Sequence, residues 1–124
     1  MPAAEIQSYN TSYTTTTSAV PKPLCEHCAS MNVGEAVWFH VRVKAANTTR
    51  SWYAEYVFFA RRASLAAPVV HAKNLLEYEP EGKVSWALEM VPVGLDAVVM
   101  RVIGQAGTTI DWAVSTRGYK KFPL

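Results

Sequence analysis

Apolar and polar residues alternate strictly along much of the chain, and this alternation predicts β-strands whose two faces meet different surroundings. In the stretch VWFHVRVKA, apolar residues from Val37 to Ala45 occupy one face, while a mostly polar set that includes Trp38 and Arg42 occupies the other. Successive side chains of a strand point to opposite sides, so this pattern is typical of a strand with one face buried.

The same period of two recurs in several other stretches. The segment SWYAEYVFFARR (51–62) carries aromatic residues on both faces, which predicts a central strand or one covered by a partner on its second face. The segment VVHAKNLLEYE fits a strand or a helix, and we favour the strand. Further strands are predicted in KVSWALEMV, AVVMRVI and TTIDWAVST. Six or so short strands joined by turns, with no clear helix, predict an all-β fold, an antiparallel β-sandwich or jelly-roll-like arrangement. The residues expected in its core are Phe39, Val41, Phe58, Trp86, Ile110 and Trp112.

A glycine-rich joint, GQAG, separates the last two predicted strands. Glycine is the residue that adopts positive φ without steric cost, and tight turns between strands often require it. We therefore expect both Gly104 and Gly107 to have positive φ and to tolerate little substitution.

The N-terminal part of the chain differs in composition from the rest. QSYNTSYTTTTSAV is rich in Ser, Thr and Tyr, and threonine favours extended backbone because its branched Cβ restricts χ1. This predicts an extended Thr-rich arm, which is disordered, forms an edge strand or lies along a neighbouring subunit. The prolines of VPKPL should break any regular element after it. We therefore divide the chain into an arm with a Pro/Cys loop (1–33) and a β-sandwich (34–124), within one globular domain overall.

Composition and charge restrict the classes of function and partner that the chain can have. The 124 residues are half hydrophobic, enough for one domain with its own core. The net charge is +2 and the basic residues are scattered, which argues against a nucleic-acid partner. The N-terminus lacks the pattern of a signal peptide, and no apolar window approaches the ~18 residues of a membrane span. We expect synthesis in a cytoplasm and no membrane partner.

The order of the segments resembles a module common in bacteriophage virion proteins. The resemblance lies in YTTTTSAV, EAVWFHVRVKA, YAEYVFFARRAS, KVSWALEM and VMRVIGQAGTTIDWAVSTR, and it covers roughly residues 12–117. It implies a β-sandwich of the kind found in tail fibres, tailspike-like appendages, head fibres and capsid decoration proteins, often as trimers. It further implies a virion location and a non-enzymatic structural role, most simply as a capsid decoration, cement, or head or tail accessory protein.

Such a protein needs contact surfaces for itself and for capsid or tail proteins. Four tryptophans in a chain this short either all pack in the core or include some at subunit contacts. Trp38 alternates with polar residues, so it is the one that we expect at an interface. The Thr-rich arm could add a strand to a neighbour through main-chain hydrogen bonds. The predicted contact residues are Tyr9, Tyr13, Thr14, Thr15, Thr16, Thr17 and Trp38, in a homo-oligomer expected to be a trimer.

The alternative function is a carbohydrate-binding module of a phage fibre, which would recognise a host-surface glycan. Such modules are also β-sandwiches, and they stack sugars on exposed aromatic rings. This function predicts two or three aromatic residues in a shallow exposed groove, whereas a decoration protein predicts the same residues buried between subunits. The tyrosines that could serve are Tyr9, Tyr13, Tyr53, Tyr56, Tyr78 and Tyr119.

Metal binding and catalysis have weak support. Cys25 and Cys28 form a C-x-x-C pair, whose spacing suits a tetrahedral metal such as zinc, but there is no second pair. His40 and His71 would complete a site only if the fold brought them near, so we predict no metal and no cofactor. Glu77, Glu79 and Glu81 fall in a turn-like region, and no G-x-S-x-G motif is present. The chain is therefore predicted not to be an enzyme.

Overall fold

The computed structural model describes residues 10–123, and for residues 25–27 and 117–122 it describes the backbone alone. Eight strands are present within this range and no helix. They are β1 (Asn10–Thr16), β2 (Lys22–Ser30), β3 (Glu35–Ala46), β4 (Ser51–Arg62), β5 (Val69–Tyr78), β6 (Ala87–Val93), β7 (Ala97–Ile103) and β8 (Ile110–Pro123). Accordingly, no part of residues 10–123 forms a helix that could cross a membrane.

The strands form two sheets in which every neighbouring pair is antiparallel. The five-stranded sheet has the order β1-β8-β3-β4-β5, and the three-stranded sheet has the order β2-β7-β6. The predicted all-β antiparallel sandwich is confirmed. The narrower description as jelly-roll-like is not established by this strand order. Because the first sheet has two strands more than the second, part of it lacks a covering layer.

The core lies between the two sheets and is built from the predicted alternation. Val37, Val41 and Val43 of β3 are fully buried, as are Val98 and Met100 of β7 in the opposite sheet. All six residues predicted to lie in the core are buried: Phe39, Val41, Phe58, Trp86, Ile110 and Trp112. The period-two pattern succeeds because each of these strands faces the other sheet on one side only.

Three of the four tryptophans form an aromatic cluster inside this core. The Trp112 ring centroid lies 6.0 Å from that of Trp52, edge to face, and 6.3 Å from that of Trp86. The buried Trp112 Nε1–H donates a hydrogen bond to Thr16 Oγ1 at 2.9 Å. The indole N–H of Trp52 likewise donates to Glu77 Oε1 at 3.0 Å. The cluster thus gains apolar burial without leaving these indole donors unsatisfied.

The Thr-rich segment is built into the sandwich. It forms β1, which pairs with β8 in unbroken register from Asn10↔Thr116 to Thr16↔Ile110. Alternate side chains of β1 face the core, since Ser12 and Thr16 are buried while Tyr13 is exposed. β1 is the outermost strand of its sheet, and Lys22 of β2 reaches it from the other sheet, where its ammonium donates to the Thr15 backbone oxygen at 3.1 Å.

Prolines do not end the strands here as the sequence led us to expect. The predicted Pro/Cys loop contains β2, with Pro23 paired opposite Arg101, and β6 continues through Pro92 rather than stopping before it. Both strands are edge strands of the three-stranded sheet. A residue without an N–H is tolerated at an edge because that side of the strand has no partner to which it must donate.

Tyr56 occupies the inner face of β4 near the margin of the core. Its ring stacks on Phe58 with centroids 5.6 Å apart. Burial raises the pKa of the Tyr56 phenol above its ordinary value, and the charges of Glu77 and Glu79 raise it further, while a hydrogen bond with Asn74 acts in the opposite direction. The folded protein therefore favours the neutral phenol more strongly than the unfolded chain does.

This shift predicts a loss of stability in alkali. A folded-state pKa above the unfolded value of about 10 gives a contribution to stability that is complete below that pH and disappears as pH rises through the folded pKa. Denaturant titrations at a series of pH values should show a steeper alkaline decline in the unfolding free energy for wild type than for Tyr56→Phe. Tyr13→Phe, which removes an exposed phenol, is the control and should decline as wild type does.

Candidate functional site

The outer face of the five-stranded sheet carries a row of residues that crosses all five strands. The register places Tyr13 of β1 beside Ala113 of β8, Ala113 beside Lys44 of β3, Lys44 beside Tyr53 of β4, and Tyr53 beside Tyr78 of β5. We call these five residues the tyrosine row. Because neighbouring strands lie about 4.8 Å apart, the row extends for about 19 Å across the sheet.

Two adjoining depressions lie along this row and form one groove. The more apolar one has a volume of about 410 Å³, and the more polar one about 490 Å³. They share Tyr13, Lys44, Tyr53 and Ala113. The apolar part is further lined by residues that include Tyr78, Pro80, Trp52, Trp112 and Asp111, and the polar part by Asn10, Thr11, Arg42, Ser115 and Thr116.

The shape of the groove follows from side-chain size along the row. Tyr13 is 81% exposed and Tyr78 is 62% exposed, so both rings stand up from the sheet. Ala113 lies between Tyr13 and Lys44 and contributes only a methyl group. Large aromatic walls around a small floor residue produce a shallow concave surface, the shape in which ligands bind on an otherwise flat sheet.

Hydrogen bonds organise the polar side chains near the groove. Glu55 Oε1 accepts from Arg42 Nε at 3.0 Å and lies 3.8 Å from His40 Nε2. Thr15 Oγ1 donates to Asp111 Oδ1 at 3.0 Å. Within the described part of the chain, Lys44 makes no ion pair. The groove therefore has one anchored cation, Arg42, and one ammonium that can pair with a ligand.

A second exposed feature is the outer strand β5, whose side chains are accessible on both faces. Its apolar residues Val69, Leu75, Leu76 and Tyr78 are between 46% and 62% exposed. The register shifts where Glu55 pairs with Leu76 and Tyr56 with Asn74, so Leu75 is an extra residue in the strand. We call Val69–Tyr78, with its open backbone edge, the β5 edge.

The contact residues predicted from the sequence fall in different places. Tyr13 is in the groove, whereas Trp38 is 38% exposed beside Phe59, about 20 Å from Lys44 along β3 at ~3.3 Å per residue. Thr15 and Thr17 are exposed and Thr14 is half-buried; Tyr9 lies outside the described residues. Their roles at an interface stay predictions. Thr16 is buried and its hydroxyl accepts from Trp112, so this side chain serves the core.

The structure separates the residues considered for a zinc site. Cys28 pairs with Val99 in the three-stranded sheet, and its thiol lies 3.5 Å from the Leu24 carbonyl oxygen. His40 and His71 lie on strands of the other sheet, so they do not join Cys28. The side chain of Cys25 is not among those that the structure describes. Among the described side chains, no three of His, Cys, Asp or Glu cluster as metal ligands do.

Two of the acids considered for catalysis act as hydrogen-bond acceptors within the fold. Glu77 Oε1 accepts from the Trp52 indole at 3.0 Å, and Glu79 Oε2 accepts from the backbone N–H of Val84 at 2.6 Å. Each carboxylate thus satisfies a donor that folding removes from water.

Sequence reasoning missed Lys44 and Ala113 as members of the groove. Alternation places both on outer faces, but the register of β3 with β8 brings them together, and a single sequence carries little information on register. The sequence signal that could have indicated the groove is the presence of tyrosines at outer positions of β1 and β4, together with an alanine at an outer position of β8.

No protein family and no curated protein sequence matches the chain. Among solved structures, the tailspike protein of Acinetobacter baumannii phage AM24 is similar over 95% of this chain and 28% of its own, with 9% identity and a TM-score of 0.45. The tailspike protein gp49 of Acinetobacter baumannii bacteriophage Fri1, a capsular polysaccharide depolymerase, is similar over 98% of this chain and 21% of its own, with 12% identity and a TM-score of 0.43. The chain thus spans about a quarter of the length of these two proteins.

Proposed function

We propose that the chain is a non-enzymatic β-sandwich module of a phage virion that self-associates and attaches to other virion proteins, such as those of the capsid or tail. The segment order that resembles virion modules supports this function. The single observation that carries it is the β5 edge, a ten-residue outer strand with side chains exposed on both faces, among them the large apolar residues Val69, Leu75 and Leu76. A decoration, cement, or head or tail accessory role agrees with a surface that must be covered by protein.

Monomeric proteins protect the outer strands of their sheets. They shorten such strands, place prolines or charges along them, or twist them with bulges, because an open apolar strand recruits other strands. The β5 edge has no proline; it carries Lys73 and a bulge at Leu75, yet the adjacent Leu75 and Leu76 stay exposed on its two faces. An added strand would satisfy its outward backbone groups and cover these leucines. A trimer is the assembly that the resemblance implies.

The test is a mass measurement in solution beside images of particles with and without the protein. Wild type should form a defined oligomer and attach to particles. Leu76→Lys, at a position already 46% exposed, should shift the oligomer to monomer while the far-UV circular dichroism spectrum stays unchanged. Leu95→Lys, at a position 59% exposed in the turn between β6 and β7, is the matched control and should keep the wild-type mass.

Two results would contradict this function. One is a wild-type chain that stays monomeric at every concentration and never attaches to particles. The other is an oligomer whose mass is unaffected by Leu76→Lys, which would place self-association away from the β5 edge.

A further inference from the structure

The groove along the tyrosine row has the chemistry of a sugar-binding surface. A pyranose ring presents C–H groups on its faces and hydroxyl groups around its rim, so it stacks on aromatic faces and bonds to polar groups beside them. Tyr13 and Tyr53 provide aromatic surface in both parts of the groove, and Ala113 lowers the floor near them. Aromatic rings combined with a few polar groups that fix orientation are the usual composition of such sites.

The polar part of the groove favours a ligand with negative charge. It is lined by Arg42 and Lys44, and the described residues that line it include no acid. Glu55 binds Arg42 through Nε, which fixes the guanidinium and leaves its terminal nitrogens able to donate to a carboxylate. Lys44 lies between Ala113 and Tyr53 in the row, where an ammonium reaches a ligand stacked on either side.

We propose that this groove binds a short acidic oligosaccharide, with sugar rings against Tyr13 and Tyr53 and a sugar carboxylate on Lys44 and Arg42. Asp111, which lines the apolar part, accepts hydrogen bonds from sugar hydroxyl groups there. This site is independent of self-association at the β5 edge, except that Tyr78 belongs to both surfaces. Variants at Tyr13 and Lys44 therefore test the sugar site without altering β5.

A single-stranded nucleic acid also combines rings with negative charge, but the groove suits it poorly. Proteins that bind single strands provide a continuous positive groove along the phosphate backbone as well as stacking rings. Here the groove has only two cations, Arg42 and Lys44, and Arg42 is already paired with Glu55. Two cations can pair with two carboxylates of a short acidic oligosaccharide, whereas they do not make a continuous positive track.

The test is calorimetric titration of the full chain with tetragalacturonate and with the neutral maltotetraose. Tetragalacturonate should bind, and maltotetraose should bind at least tenfold more weakly. Tyr13→Ala and Lys44→Met should each weaken tetragalacturonate binding by about tenfold, which corresponds to about 1.4 kcal/mol. Trp38→Ala and Arg61→Met, on the same sheet but outside the groove and outside β5, are the matched controls and should bind as wild type does.

Several outcomes would overturn the proposal. They are an absence of tetragalacturonate binding, equal affinity for maltotetraose, equal affinity for a thymidine tetranucleotide, and binding that Tyr13→Ala and Lys44→Met leave unchanged. The oligomer mass measured on the same samples separates the two proposals. An oligomer that binds no sugar would contradict only the proposed sugar site. A monomer that binds tetragalacturonate would contradict only the proposed self-association.

Discussion

Replacing Trp112 with alanine should lower the free energy of unfolding by about 3–5 kcal/mol, the largest loss that we expect from any single substitution in this protein. Trp112 is 2% exposed and its ring contacts those of Trp52 and Trp86, so the change removes the centre of the aromatic cluster. It also leaves the buried Thr16 hydroxyl without its donor. A domain of this size is stable by about 5–15 kcal/mol, so a large share of the total is lost.

Chemical denaturation followed by circular dichroism would measure this loss as a shift in midpoint. Trp38→Ala is the matched control, because it removes the same side chain from a position 38% exposed on the outer face of β3. We expect it to cost less than about 1 kcal/mol. Trp112→Phe should fall between the two, since it keeps a ring in the core but loses the bond to Thr16. Equal losses for Trp112→Ala and Trp38→Ala would contradict the assignment of Trp112 to the core.

Alternation predicted those parts of the fold in which one strand face meets the core and the other meets water. β3 is the clearest case, since the residues from Val37 to Ala45 on its apolar face are all buried, while Trp38 on the other face is exposed. β7 and the first part of β8 follow the same rule. The physical reason is that burial against the opposite sheet acts on every second residue.

The segment that forms β1 and β2 (10–30) was harder to predict because its signals are weaker. β1 is composed of asparagine, threonine, serine and tyrosine. Its buried positions, such as Ser12 and Thr16, are therefore not apolar. β2 contains Pro23, and proline favours a loop unless the strand lies at an edge. Whether a strand lies at an edge depends on the order of strands in the sheet, and one sequence does not contain that order in a readable form.

The candidate site shows the same limit. Tyr13, Lys44 and Tyr53 each have an outer-face position that alternation predicts, but they come from three strands with long stretches of chain between them. Only the register aligns them in one row. In the sequence analysis, exposed tyrosines were the feature that would distinguish a carbohydrate-binding module from a decoration protein. The pairing of the strands determined which tyrosines lie in the same row.

Substituting Gly104 with alanine should cost about 3 kcal/mol, near the upper end of what overpacking costs. Gly104 follows β7 and does not have the positive φ that its sequence predicted, whereas Gly107 does, at 70°. What makes Gly104 necessary is close approach. A Cβ there would collide with Thr16 Oγ1 and would lie 2.9 Å from the backbone oxygen of Ser18.

Neither neighbour can move cheaply. The Ser18 oxygen belongs to the backbone, and Thr16 Oγ1 holds the Trp112 indole, so relief of the clash disturbs the same contact that Trp112→Ala removes. Gly107→Ala is the matched control, because a Cβ there meets nothing within 4 Å and costs only the ~1–2 kcal/mol of a left-handed backbone conformation. Denaturation midpoints should therefore rank wild type above Gly107→Ala and Gly107→Ala above Gly104→Ala. The reverse order of the two variants would mean that backbone conformation, and not the packing of β1 against this loop, is what requires glycine in the joint.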